Sequence, residues 1–210
     1  LIQDRDFLRS MQINADSAEG YLYPSTYMVP LNVDVKTIVE LMIKKFKSTI
    51  ATLGNFENTL DFEKTIILAS ILEAETKVES ELPIIAGVYL NRLKKRLPLQ
   101  ADATVRYIKM PKIIELRDQI RELKDTLKTE NDPNVKKKIE KDITRLTRLA
   151  TVVTYKDLRI DNPYNTYIYT GFPPGPICNP GVKALAAAFK PAKTEYMFYV
   201  WNERTQKHVF

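Results

Sequence analysis

The 210-residue chain carries a single cysteine, Cys178, and a single histidine, His208. One thiol cannot close an intramolecular disulfide, and a lone imidazole without a Cys/His cluster cannot build a zinc site. Neither metal nor redox cofactor is expected, and His208, in a strand-like stretch, reads as structural. Scarce cysteine is compatible with both the cytosol and the bacterial periplasm. Long apolar runs are also missing, since none reaches the about 18 residues that a membrane-crossing helix needs. The first residue is Leu1 and no signal-like segment follows it, so the chain is expected to be cut from a longer protein.

What is present is ordinary for a globular protein: 44% hydrophobic and 28% charged residues. The length is a soft prior for one or two domains. A formal net charge of +6 favours anionic surroundings such as nucleic acid, lipid headgroups or an acidic polymer. The cations are not gathered into one tail. Those between residues 112 and 148 alternate with acids, which reads as a solvated helical face, and no base-reading motif accompanies them. Nucleic-acid binding therefore ranks last among the functions considered.

The stretch around which the chain is organised is Thr65-Ile-Ile-Leu-Ala-Ser-Ile-Leu-Glu-Ala-Glu-Thr76. At helical spacing Leu68, Ile71, Leu72 and Glu75 fall on one stripe. A carboxyl at the end of an apolar stripe is partly desolvated, which raises its pKa toward the range a general acid needs. Glu73 points to another side. Glutamates at helix ends are more often solvated surface residues, so Glu75 needs support from its surroundings.

Around this helix the order of elements is readable. Tyr21 to Pro30, punctuated by Pro24 and Pro30, reads as extended edge structure. Asp34 is a candidate N-cap for a scaffold helix to Ile50, and Gly54 with Asn55 marks a break. Ser80 is a candidate N-cap for a second helix with Pro83 in its first turn, ending near Asn91 and Arg92. Ile113, Leu116, Ile120, Leu123 and Leu127 step by three and four, Asn131-Asp-Pro-Asn134 is a turn signal, and the spacing resumes from Val135 to Leu149 or Ala150. That pattern predicts an antiparallel helical hairpin ~25 to 30 Å long at a rise of about 1.5 Å per residue. Tyr164 to Tyr169 is strand-like, Gly171 to Gly181 is a stiff loop, and Asn179 with Pro180 starts a short helix. Tyr196 to Trp201 and Lys207 to Phe210 read as a hairpin joined through residues 202–206.

Five groups of residues, in order, resemble the YceG-like family of endolytic murein transglycosylases. They are Glu19-Gly-Tyr-Leu-Tyr-Pro-Ser-Thr-Tyr27; Leu68-Ala-Ser-Ile-Leu-Glu-Ala-Glu-Thr76; Ala86-Gly-Val-Tyr-Leu-Asn-Arg-Leu93 with Pro98-Leu-Gln-Ala-Asp-Ala-Thr-Val105; Tyr164-Asn-Thr-Tyr167 with Pro173-Pro-Gly-Pro-Ile-Cys-Asn-Pro-Gly181; and His208-Val-Phe210. Residues near 111 to 150 lie outside these matching groups. The chain departs at Leu82, where the family usually has Arg, and at Ala101 and Ala103, where it usually has Thr and Pro. The resemblance implies cleavage of peptidoglycan glycan strands from within, leaving 1,6-anhydro-N-acetylmuramic acid ends, with Glu75 as the acid/base. It implies a groove in which Glu73, Glu81, Asn91, Gln100, Asp102, Thr104, Asn165, Glu19 and Tyr21 bind or position sugar. It also implies a membrane anchor upstream of these residues and work on the extracytoplasmic face of the bacterial inner membrane.

The expected fold is α+β: a catalytic domain, residues 1–110 and 151–210, whose glutamate-bearing helix packs on short antiparallel strands, with residues 111–150 inserted as a helical hairpin. The hairpin is expected to recruit cell-wall synthesis proteins or act as a spacer. Two other functions stay open: a muramidase-like hydrolase in which Glu73, Glu81 or Asp102 activates water, and a non-catalytic peptidoglycan-binding scaffold.

Overall fold

The computed structural model describes residues 1–54 and 60–210, and the break expected at Asn55 lies outside them. After the short α1 (Arg5–Ser10), helix α2 (Val35–Thr52) starts where the sequence places it, with the Asp34 carboxylate accepting the Thr37 N–H at 2.9 Å. Its Val39, Ile43 and Phe46 face the core.

Helix α3 (Phe62–Glu75) is capped by Asp61, which accepts from the Lys64 N–H at 2.8 Å, and ends at Thr76, whose backbone is extended. Every residue from Thr65 to Leu72 is buried, so the helix has no single apolar stripe and runs through the core like a helix apolar on all sides. Its neighbours are helices: α4 (Leu82–Lys94), α5 (Asp102–Ile108) and α8 (Val182–Phe189). The expected packing of α3 on strands is therefore corrected.

Among the described residues the strands form one antiparallel pair, β1 (Val200–Asn202) with β2 (Lys207–Val209), in which Trp201 faces His208. The chain is α+β as a mixed helical fold with this small sheet. Residues 164–169 fold into turns instead of a strand because the Asn165 side chain supplies local partners. Its Nδ2 donates to Leu158 O and Ile160 O at 3.1 and 2.8 Å, and its Oδ1 accepts from Tyr167 N at 3.0 Å.

Two local expectations are also corrected. Ser80 lies inside a 3-10 turn and caps nothing; α4 follows it directly, with Pro83 in the first turn. Beyond α4, helix α5 starts at Asp102, so Asp102 and Thr104 are helical. Asn179 does not cap α8, whose N-cap is Gly181. Its Oδ1 accepts instead from Gly20 N and Leu22 N, at 2.8 and 3.1 Å. Gly20 has φ +90°, and a Cβ there would lie 2.5 Å from Pro176 Cγ. Only glycine allows that approach.

Helices α6 (Met110–Thr129) and α7 (Pro133–Thr151) are joined by residues 130–132 and pack on each other. Ile113, Leu116, Leu146 and Ala150 form a small core separate from the main one. Ala150, not Leu149, fills the seam position. Lys109 Nζ donates to Val152 O at 3.2 Å and pairs with Asp157 at 2.7 Å, which draws the two ends of the helix pair together.

Candidate active site

Glu75 is the last residue of α3, where the helix leaves the core. Its Oε1 accepts the Tyr199 phenol at 2.7 Å. Its Oε2 is closed off from solvent and has no hydrogen-bond partner among the described residues. Burial, above all, raises its pKa above the ordinary 4.5; the Tyr199 bond pulls the other way, Asp102 adds to the rise, and Arg106 and His208 oppose it. Such a carboxyl keeps its proton at a pH where free glutamates have lost theirs, and can deliver it to a substrate oxygen.

Helix α5 brings Asp102 and Arg106 to this carboxyl. Asp102 is exposed, and its Oδ1 accepts from the Tyr167 hydroxyl at 2.5 Å. Gln100, just before α5, has φ +54°, a backbone region that non-glycine residues enter rarely. Two bonds hold it there: its N–H donates to Thr166 O at 3.0 Å, and its side-chain oxygen accepts from Arg92 Nη2. Arg92 is buried, lies over the Phe198 ring, and also donates to Pro98 O and Met197 O at 2.8 and 3.0 Å. It thereby ties the loop before α5 to the segment leading into β1. Asn91 serves that same segment, with Nδ2 donating to Thr194 O and Tyr196 O at 2.7 and 2.9 Å.

The other expected groove residues divide by exposure. Tyr21, Thr104 and Asn165 are buried, and their polar groups or rings are engaged inside the fold. The Tyr21 ring packs against Phe46 and Phe62, with centroids 5.3 and 6.4 Å away, and burial pushes its phenol up to about 12. Thr104 Oγ1 donates to Ala101 O at 2.8 Å and sits 2.9 Å from Thr166 Oγ1, so its hydroxyl is spent inside the fold. Glu81 is buried too: its carboxylate accepts from the His208 N–H at 3.0 Å and lies 2.6 Å from His208 Nδ1, fastening the start of α4 to β2. Glu19 is half-buried and accepts from Tyr107 at 2.7 Å. Glu73 is exposed and accepts from Gly181 N at 3.0 Å at the start of α8. Asp102 is therefore the expected residue that the fold brings to Glu75.

Sequence reasoning missed Tyr199, Tyr89, Tyr167 and Arg106. The run Tyr196 to Trp201 shows strand propensity, and nothing in it points to a carboxyl 124 positions away.

A family model described as the YceG-like family matches residues 2–210. The chain belongs to the YceG-like family. This YceG-like chain is 34% identical over 187 residues to the endolytic murein transglycosylase of Bacillus subtilis (strain 168), covering 87% of this chain and 41% of that one. It is 23% identical over 184 residues to the endolytic murein transglycosylase of Streptococcus pneumoniae serotype 2 (strain D39), covering 87% and 28%. A crystal structure of a YceG-like protein from Listeria monocytogenes shares the fold with a TM-score of 0.64 at 28% identity, over 96% of this chain and 60% of that one. The chain thus spans less than half the length of these two curated relatives.

Proposed function

We propose that this chain is the catalytic part of an endolytic lytic transglycosylase, a lyase that cuts peptidoglycan glycan strands between N-acetylmuramic acid and N-acetylglucosamine. The observation that carries the reading is the buried carboxyl of Glu75 with its pKa raised and Oε2 unpartnered, in a chain that matches the family along nearly its whole length. The neutral acid protonates the glycosidic oxygen, and the muramyl centre becomes oxocarbenium-like. The carboxylate left behind then takes the proton of the sugar's own C6 hydroxyl, whose oxygen closes the 1,6-anhydro ring. An internal nucleophile acts at high effective concentration, so one carboxyl serves both transfers.

Asp102 and Gln100 are the exposed polar groups that line the approach to the acid, and Glu73 and Glu19 extend the same reading outward. A hydrolytic variant of the reaction would use Asp102, whose charge already acts on Glu75, as the base for water.

Residues 111–150 form an inserted arm that recruits cell-wall synthesis proteins. Two features support this. The arm has its own small core, and a groove of about 940 Å³ at its base is edged by Lys137, Lys141, Arg148 and Lys156 over Leu116 and Val152. The enzyme works on the extracytoplasmic face of the inner membrane, tethered by a part of the longer protein; among the described residues no helix is long and apolar enough to cross a membrane.

The test is digestion of purified peptidoglycan by the chain and by Glu75→Gln, read by mass spectrometry. Anhydro-muramyl products from the wild type alone are expected. Reducing ends would convert the enzyme to a hydrolase, and equal activity in Glu75→Gln would remove the glutamate from the chemistry.

A further inference from the structure

We propose that Tyr199, backed by Tyr89, is a positioning residue that selects Oε2 of Glu75 as the oxygen carrying the reacting proton and steadies the carboxylate left when that proton departs. The inference rests on the reading of Glu75 as the acid.

The direction of the hydrogen bonds follows from counting protons. Tyr89 is fully buried, and the partner of its hydroxyl is the Tyr199 hydroxyl at 2.6 Å. Tyr199 in turn donates to Glu75 Oε1 at 2.7 Å. A phenol has one proton to give. When Glu75 is ionised it can only accept, so the Tyr199 proton is committed to Oε1, the Tyr89 proton points at Tyr199, and the chain runs one way, from Tyr89 through Tyr199 to Oε1; the oxygen free to take up a proton is then Oε2. An oxygen that accepts such a bond is the carbonyl oxygen of the neutral acid. Its proton therefore sits on Oε2, the oxygen left without a partner among the described residues.

The relay is held rigidly. The Tyr199 ring meets Tyr89 edge-on at 6.1 Å and His208 edge-on at 5.1 Å. His208 is itself gripped by buried Glu81. Asn91 and Arg92 of α4 clasp the carbonyls of Thr194, Tyr196 and Met197 just upstream. One helix, α4, thus supplies Tyr89 and also anchors the strand entry that carries Tyr199.

The reaction makes use of this one-way relay. In the first step the Oε2–H bond breaks, an O–H bond forms on the leaving glycosidic oxygen, and the C1–O bond opens. In the second, the C6 hydroxyl gives its proton to Oε2 as C1–O6 forms. Between these steps Glu75 is a buried anion, and the bond from Tyr199 becomes charge-assisted, about twice as strong as before; a second donor behind it reinforces the effect.

The experiment is a titration of Glu75 by carbon NMR in protein labelled at glutamate side-chain carboxyls, the signal being identified by its loss in Glu75→Gln. The groups facing Glu75 are Asp102 and Arg106 on α5, His208 with Glu81 behind it, Tyr167, Tyr89 on α4, and Tyr199 itself. Tyr199→Phe leaves all the others in place. Its Glu75 midpoint is expected to rise by ~1 pH unit, the size of a lost bond to a charged group. Tyr89→Phe, buried but isosteric apart from the hydroxyl, is expected to shift it less and in the same direction.

Cleavage of soluble glycan fragments by Tyr199→Phe is expected to lose about 10- to 100-fold in kcat with KM unchanged. Its alkaline limb should move up with the midpoint, because the active form is the protonated one. An unchanged midpoint in folded Tyr199→Phe overturns the relay; should that variant not fold, an unchanged midpoint in Tyr89→Phe does so. Variants whose midpoints shift as expected, beside a wild type that cuts no glycan, overturn the catalytic reading of Glu75 and leave the hydrogen-bond chain standing.

Discussion

A carboxyl kept neutral by burial has a cost that depends on pH. Glu75 has a raised pKa in the folded chain, so between its unfolded and folded values the native state holds a proton that the unfolded state has released. Stability then falls as pH rises through that window, by linkage. Glu75→Gln removes the titration and keeps the shape. The melting temperature of Glu75→Gln relative to wild type is expected to be flat below about the ordinary value of 4.5 and to climb toward neutral pH. Calorimetry of both proteins across that range checks it; a constant difference would mean that Glu75 titrates normally. The variant expected to be inactive is thus expected to be the more stable near neutrality.

Helix α4 fixes the segment that carries Tyr199. Gly87 lies where a Cβ would come 2.4 Å from the carbonyl oxygen of Ala192. That strand of chain cannot drift away freely, because Ala192 N is bonded to Pro83 O at 2.9 Å at the other end of the same turn. Gly87→Ala gains up to about 1 kcal/mol in helix propensity but forces a backbone displacement costing about 1–3 kcal/mol. A net loss in thermal stability is expected, together with lower cleavage activity as residues 194–199 shift. A scanning-calorimetry trace unchanged from wild type would show that the approach is looser than the geometry implies.

The same helix shows where the sequence was informative. Asp34 and the apolar steps placed α2 and the pair α6–α7, an apolar run placed α3, and Pro83 marked the first turn of α4, because such signals act within a few residues. Asp61, Asn165 and Asn179 escaped that reading. An asparagine in a loop can cap a helix, close a turn or reach a distant N–H, and only the packed chain decides which. Asn179 serves Gly20 and Leu22; Asn165 folds its own neighbourhood and thereby replaces the expected strand. For the candidate site, the raised pKa of Glu75 was legible from its place at the end of an apolar helical run. Its partner Tyr199 was not, since long-range pairing leaves no local periodicity.

At the scale of the molecule, α6 and α7 meet the rest at a narrow base where Lys109, Val152 and Asp157 are joined. Replacing residues 111–150 by a short flexible linker is expected to leave a folded chain whose Glu75 midpoint and glycan cleavage match the parent. Loss of folding would show that the helix pair belongs to the core. Charge reversal of Lys137, Lys141 and Arg148 in the intact protein is expected to leave cleavage unchanged and to weaken association with a partner that depends on the basic groove, measured as a loss of salt-sensitive binding.

The site is also assembled across great sequence distance. Residues 20–22 are fastened to Asn179, Ser70 of α3 meets the backbone of Ile177 at 3.0 Å, and Glu75 waits for Tyr199. Closures of this kind form late, because loop entropy must be overcome before they stabilise anything. During synthesis the segment bearing Glu75 emerges more than a hundred residues before Tyr199. Until then its carboxyl is solvated and ionised like any other. A growing or truncated chain therefore carries the glutamate without its buried, protonated state, which arrives only with the completed fold.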